Sequence, residues 1–154
     1  MNNTKKFDEL ANDSDELKLE LVEPTDKQIQ ILYELLRLRE HSISHTNLPE
    51  FNEHKEFVIN NPYRVWMLIY RRQIPIGTVY ITNDNSIGIS LKTYSETLIK
   101  SLIKILVNKY KPLSPIKSLR GKHFHINLNP RNQELISILE KIGLAHIQST
   151  YAIS

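Results

Sequence analysis

VWMLIYRRQIPIGTVYITNDNSIGISL, residues 65–91, is the stretch that decides the fold. It holds three blocks rich in β-branched and aromatic residues: Val65 to Tyr70, Ile76 to Thr82 and Ile87 to Leu91. The breaks between them, Arg71 to Ile74 and Asn83-Asp84-Asn85, are only of turn length. A parallel neighbour needs a crossover of about a dozen residues or more, so breaks this short return the chain antiparallel. The stretch predicts a three-stranded antiparallel meander.

Downstream the period changes to that of a helix. Thr97 to Tyr110 sets Leu98, Leu102, Ile105 and Leu106 on one face and ends before Pro112. A long connection, 111–122, leads to a strand over Phe124 to Leu128 and a helix over Asn132 to Ile142, with Gly143 at its C-terminal cap. Ile147 to Ile153 has the alternation of a last strand. Upstream, Leu17, Leu19 and Leu21 alternate in a short strand that ends at Pro24. Thr25 or Asp26 caps a helix carrying Ile29, Leu32, Leu36 and Glu40, and Asn47-Leu48-Pro49 starts a second one with Phe51, Phe57 and Val58 as its apolar face. The order β-α-α-β-β-β-α-β-α-β predicts an α/β domain over 17–154: a mixed six-stranded sheet with four helices, the strand after the meander parallel to its last member. Residues 1–16 have few large apolar side chains and no period, and are expected to form a mobile leader.

Composition narrows the function classes. There is no cysteine, hence no disulfide framework and no thiolate chemistry. The longest apolar run, Val65 to Tyr70, is far shorter than the roughly 20 residues of a membrane span, so no membrane is expected. The N-terminus lacks the basic-then-apolar pattern of a signal, and a cytoplasmic protein is the expectation. Residues 1–16 carry two lysines and five acids, which leaves 18 bases against 12 acids for the rest of the chain. That balance suits an anionic partner without naming one. Nucleic acid is not the expected partner, because the bases are scattered and no nucleic-acid-binding signature accompanies them.

This element order resembles that of the GNAT family of N-acetyltransferases. The family sets an Asn after its fifth strand and closes the following helix with Gly and an apolar residue; Asn132 and then Lys141-Ile142-Gly143-Leu144 are similar to that pattern. Members that acylate amino sugars resemble the chain further, with Arg37 and Arg39 in the first helix and Glu53-His54-Lys55-Glu56-Phe57 in the second. The resemblance spans 17–154 and implies acetyl-CoA as acyl donor. Its pantetheine would pair with the backbone of Ile89, Ser90 and Leu91, its pyrophosphate would sit at Ser95, Glu96 and Thr97, and Asn132 would face its arm. A helix N-terminus suits phosphate because its free amides and dipole favour negative charge. Arg39 and His54 would contact the acceptor. The chain also departs from the family. Its phosphate loop, Lys92 to Thr97, has no glycine, and Glu96 in it repels phosphate. Leu139 and Ser86 stand where many members place a tyrosine acid and a glutamate base.

Read by their own chemistry, several of these residues keep a structural alternative. Asn132 and Gly143 serve as ordinary helix caps anywhere. His123, His125 and Asn127 share one face of a strand, and His125 is the candidate catalytic base because histidine titrates near neutrality; the alternative is a partly solvated strand start. Arg37 and Arg39 are two apart and point to different helix faces, so only one reaches an acceptor. His41 and His45 have helical metal spacing without a carboxylate motif, and no metal is expected. Trp66 and Tyr70 are expected in the core. The functional expectation is an N-acyltransferase acting on a small amine, a nucleotide-linked amino sugar being the specific candidate. The alternative is a GNAT-like domain without catalysis that serves as a binding or scaffold module.

Overall fold

The structure, a computed structural model, describes residues 17–40 and 47–154. The leader 1–16 and the His41/His45 pair lie outside the described residues. The elements are β1 (Leu17–Leu21), α1 (Asp26–Arg37), α2 (Phe51–Ile59), β2 (Val65–Arg71), β3 (Ile74–Ile81), β4 (Ser86–Leu91), α3 (Glu96–Lys109), β5 (His125–Ile126) and α4 (Gln133–Lys141). The strands form one sheet in the order β1-β2-β3-β4-β5, antiparallel except for the parallel β4–β5 pair. The meander of residues 65–91 is therefore as read, and so are the mixed sheet and the four helices.

The strand count is corrected. Among the described residues there are five strands and not six, because Ile147 to Ile153 makes no ladder with any of them. Alternation supplies a face, but a strand also needs an edge to pair with. Phe124 to Leu128 shrinks to His125–Ile126, since only Ser86 and Ile87 of β4 find partners there. Helix α1 ends at Arg37 and stops short of Glu40: the amide of Arg39 bonds back to the carbonyl of Leu36 at 3.2 Å, a three-residue closure that tightens and ends the helix.

The two faces of the sheet carry different cargo. Met67, Ile69, Val79, Ile81, Ile87 and Ile89 point to one side and are buried against Leu98, Leu102 and Leu106 of α3 and Leu135 of α4. At roughly 1.5–3 kcal/mol for each large apolar side chain buried, this cluster is the principal source of stability. On the other side a smaller cluster, Ile29, Leu32, Val58 and Leu68, joins α1 and α2 to β2. Tyr70 packs against it, as expected of a core residue. Helix caps follow their local chemistry. Ser95 accepts from the amide of Leu98 and Asn132 from that of Leu135, each at 3.2 Å. Gly143 (φ 96°) closes α4 with bonds from Gly143 to Glu140 and from Leu144 to Leu139.

Candidate functional site

Beyond Ile87 the pairing of β4 with β5 ends, which leaves a gap in the ladder. Asn85 and Ile87 direct their carbonyls to the amides of His125 and Asn127, both at 3.1 Å, so odd-numbered residues of β4 aim their backbone groups toward β5. Ile89 continues that series, and among the described residues its amide and carbonyl have no hydrogen-bond partner. The amide of Leu91 faces the same way and is taken by the Tyr94 hydroxyl at 3.3 Å. Ser90 has the opposite parity: its backbone belongs to the β3 ladder opposite Thr78, and its side chain lies on the sheet face under α1 and α2. Of the three residues expected to pair with an acyl-CoA arm, Ile89 and Leu91 face the gap and Ser90 does not.

At the N-terminus of α3 the structure alters the electrostatic expectation. Glu96 binds Lys100 and Lys141, both at 2.7 Å, and these two hydrogen bonds hold its carboxyl down to about 2. The carboxylate thus gathers two lysines, one from α3 and one from the end of α4, and the three groups together carry net positive charge. Above the ordinary carboxylate range the bridge is complete; as pH falls from about 4.5 toward about 2 the acid becomes protonated and that stabilisation is lost. The Glu96→Gln protein should accordingly show a flatter loss of stability with pH below about 4.5, read by thermal melts at stepped pH in low salt, because the linked proton uptake is gone. Ser95 is engaged as the helix cap, and Thr97 lies in the first turn. Asn132 is buried, with its side-chain oxygen committed to the cap of α4.

A cavity of about 550 Å³ opens on the sheet face under α1 and α2. Its floor is Thr78, Tyr80 and Ser90, its walls include Trp66, Tyr63 and Phe57, and Arg39 and His54 line it together with Glu53. The Tyr63 and Tyr80 rings stack at 4.1 Å and 9°, while Trp66 meets Tyr63 and Phe57 edge-on at 5.4 and 5.8 Å. Burial pushes the Tyr63 phenol up to about 12 and raises that of Tyr80, while the nearby Arg39 guanidinium pulls both the other way. Both phenols are therefore protonated donors at neutral pH. The Nε of Arg39 is buried and has no hydrogen-bond partner among the described residues. Arg39 sits just past the end of α1, which carries it into the cavity; Arg37 stays on the helix surface against Glu34 at 3.3 Å.

His54 is buried and donates Nε2–H to the Ile29 carbonyl at 3.2 Å, which leaves Nδ1 as the acceptor. Burial lowers its pKa, so the ring is neutral at pH 7. Its burial with Val58 corrects the expected face of α2: Phe51 and Phe57 are over a third exposed, and Phe57 turns to the cavity. His125 is half-buried beside Asp84 and is not among the residues lining the cavity. Trp66 divides its ring between the smaller core and the cavity wall. Sequence reading missed Tyr63 and Tyr80. For Tyr80 the cue was available, because it alternates with the buried Val79 and Ile81 and so belongs to the opposite face. Tyr63, in a loop, had no such cue. Among the described residues no group of three potential ligands could hold a metal ion, and no helix is long and apolar enough to cross a membrane.

No protein-family model matches the sequence, and no curated protein does. Solved structures do match. An acetyltransferase from Thermus thermophilus superposes with a TM-score of 0.63 at 13% identity, over 86% of this chain and 88% of that one. The chain has the GNAT acetyltransferase fold. The Campylobacter jejuni N-acetyltransferase PseH is similar at a TM-score of 0.55 and 15% identity, covering 88% of this chain and 92% of its own. RimL, a ribosomal L7/L12 alpha-N-protein acetyltransferase solved in complex with coenzyme A, gives 0.55 at 12% identity, over 82% of this chain and 78% of that one.

Proposed function

We propose that the protein is an acetyl-CoA-dependent N-acetyltransferase for a small amine. One observation carries the reading: the unpaired backbone of Ile89 faces the β4–β5 gap, and the aromatic cavity reaches the same strand end at Ser90 and Leu91. An acyl donor bound along the gap and an amine bound in the cavity would then meet across β4. Acetyl-CoA, when bound, supplies the thioester that the amine attacks. The chain's own contributions are binding and orientation. Ile89 offers an amide and a carbonyl, the lysines gathered by Glu96 offset phosphate charge, and Tyr63, Tyr80 and Arg39 offer donors in the cavity. His54, neutral, presents an acceptor nitrogen to the acceptor molecule. His125 is retained as a proposed base acting from the β5 side, and Asn132 as a proposed contact to the acyl-CoA arm.

The cavity favours an anionic or hydroxyl-rich acceptor over a polycation. A buried guanidinium nitrogen without a partner costs about 1–3 kcal/mol, a cost that a ligand oxygen removes. A nucleotide-linked amino sugar combines an amine, hydroxyls, phosphate and a stackable base, in keeping with the sequence resemblance at Arg39 and Glu53-His54. On this reading, Arg39→Gln should raise the acceptor KM about 10- to 100-fold and leave the acetyl-CoA Kd within twofold, measured by steady-state kinetics and calorimetry.

The glycine-free loop Lys92 to Thr97 favours a second reading, a module that has lost the donor site. Calorimetric titration with acetyl-CoA separates the two. Saturable binding followed by thiol release when a nucleotide-linked amino sugar is added supports the enzyme, whereas absence of binding at millimolar acetyl-CoA supports the module.

A further inference from the structure

The gap beside β4 is closed at one end. Ile87 is the last residue of β4 with a partner on β5, and past Leu91 the chain turns into the N-terminus of α3. An acyl-donor arm that lies in the gap with its phosphates at α3 enters from the open end, and the ladder at Ile87 stops it. Its thioester end then lies beside Gly88 and Ile89.

Gly88 leaves the sheet bare at that point. Ile87 and Ile89 send their side chains into the main core, so position 88 faces α1 and α2, the side of the aromatic cavity. Tyr80 stands directly opposite in the β3–β4 ladder. Facing Cα atoms are about 5 Å apart, and a tyrosine side chain is longer than that step, so the ring reaches across to β4. A side chain at position 88 would fall on the hydroxyl end of the ring, against Cζ and the phenol oxygen. The stack on Tyr63 holds the ring in this place. The Tyr80 hydroxyl makes no hydrogen bond to a described residue, although the residue is half-buried.

We propose, on the acetyltransferase reading above, that the Tyr80 hydroxyl lying over Gly88 joins the Ile89 amide as a second donor to the thioester oxygen, which makes Tyr80 a catalytic residue. As the acceptor nitrogen attacks the carbonyl carbon, the C–N bond forms and the π pair moves to oxygen, where the two donors meet the negative charge. The pair then returns, the C–S bond breaks with its electrons on sulfur, and the surplus proton of the nitrogen passes through water to the thiolate. Amide and thiol are the products, and Tyr80 keeps its own proton throughout. An ordinary thiol titrates at about 8.5 and a phenol at about 10. Burial raises the Tyr80 phenol further against the pull of Arg39, so giving its proton to the leaving sulfur is uphill, whereas hydrogen bonding to the oxyanion is not. Loss of one such donor costs roughly 10²- to 10³-fold in kcat.

Tyr80→Phe keeps the ring, its stack and the cavity floor and removes only the oxygen. Two measurements on it need no acceptor: calorimetry with acetyl-CoA, and difference infrared spectra of bound acetyl-CoA isotope-labelled at the carbonyl carbon. The native protein should bind saturably and hold the carbonyl band below that of free acetyl-CoA, because each donated hydrogen bond weakens the C=O bond. Tyr80→Phe should bind with a Kd within twofold of native and return the band part of the way to the free value. Tyr63→Phe, which removes the neighbouring phenol oxygen, should leave the band at its native position. Identical bands in the native and Tyr80→Phe proteins, equal movement in both variants, or a Tyr80→Phe protein that no longer binds acetyl-CoA would each overturn the role of Tyr80 and leave the acetyltransferase reading standing. Absence of saturable acetyl-CoA binding to the native protein would remove both.

Discussion

Replacing Asn85 with alanine should cost about 3 kcal/mol and lower the melting temperature by about 10 °C. Asn85 is wholly buried in the β3–β4 turn, and its side chain does the work of a missing strand. Its Nδ2 donates to the carbonyls of Leu113 and Gly121, each at 2.9 Å, and its Oδ1 accepts from the Leu113 amide at 2.7 Å. These bonds pin both ends of the connection 111–122 to the meander. That connection delivers β5, whose His125 amide bonds the Asn85 carbonyl at 3.1 Å. Asn85 also holds φ at 68°, a conformation asparagine tolerates better than alanine. Asn85→Gly separates the two contributions, since glycine accepts the backbone and makes no side-chain bond. Thermal melts should place the glycine protein nearer to the alanine protein than to the native one. A glycine protein as stable as the native chain would mean that the three bonds contribute nothing net.

Asn85 also marks the limit of what the sequence could disclose. Asn83-Asp84-Asn85 was legible as a turn because turn chemistry is local. Its staple to Leu113 and Gly121 joins residues 28 and 36 positions away, and no periodicity records such a contact. The same division runs through the fold. The meander, α3 and α4 were legible from alternation, from 3.6-residue spacing and from caps such as Asn132 and Gly143. The extent of β5 was not, because it depends on where β4 stops pairing. Gln28 was also silent. It is buried and ties β1 to α1 through Glu20 at 2.7 Å, the Leu21 carbonyl at 3.2 Å and the Glu23 amide at 2.6 Å. In the candidate site, Arg39 and His54 were named from a resemblance, and both line the cavity. The stacked Tyr63–Tyr80 pair was out of reach, since it brings a loop residue onto a strand residue seventeen positions later. Glu96 was read as a charge opposed to phosphate because its two lysine partners sit on different helices, and one of them, Lys141, is far along the chain.

If the protein is the N-acetyltransferase proposed above, Gly88→Ala should lower acceptor kcat/KM about a hundredfold and leave acetyl-CoA affinity within twofold. Gly88 lies opposite Tyr80 in the β3–β4 ladder, and a Cβ there would stand 2.1 Å from Tyr80 Cζ and 2.4 Å from its hydroxyl oxygen. The ring must leave. With it goes the stack on Tyr63 at 4.1 Å and the phenol beside Arg39, by which Tyr80 joins the floor of the cavity to its aromatic wall. The backbone of β4 need not move, because the obstructing atoms belong to a side chain, so the Ile89 amide and carbonyl keep facing the gap. A displacement of about 1 Å in a positioning group is enough to cost about a hundredfold in rate. Tyr80→Ala in the Gly88→Ala background supplies the control: the added methyl then has room, and the double variant should be no worse than Tyr80→Ala alone. Kinetics on the acceptor and calorimetry on acetyl-CoA read the two sites separately. A Gly88→Ala protein that acetylates its acceptor at the native rate would remove the aromatic cavity from the acceptor site. Loss of acetyl-CoA binding in step with activity would instead place the donor on this face of the sheet.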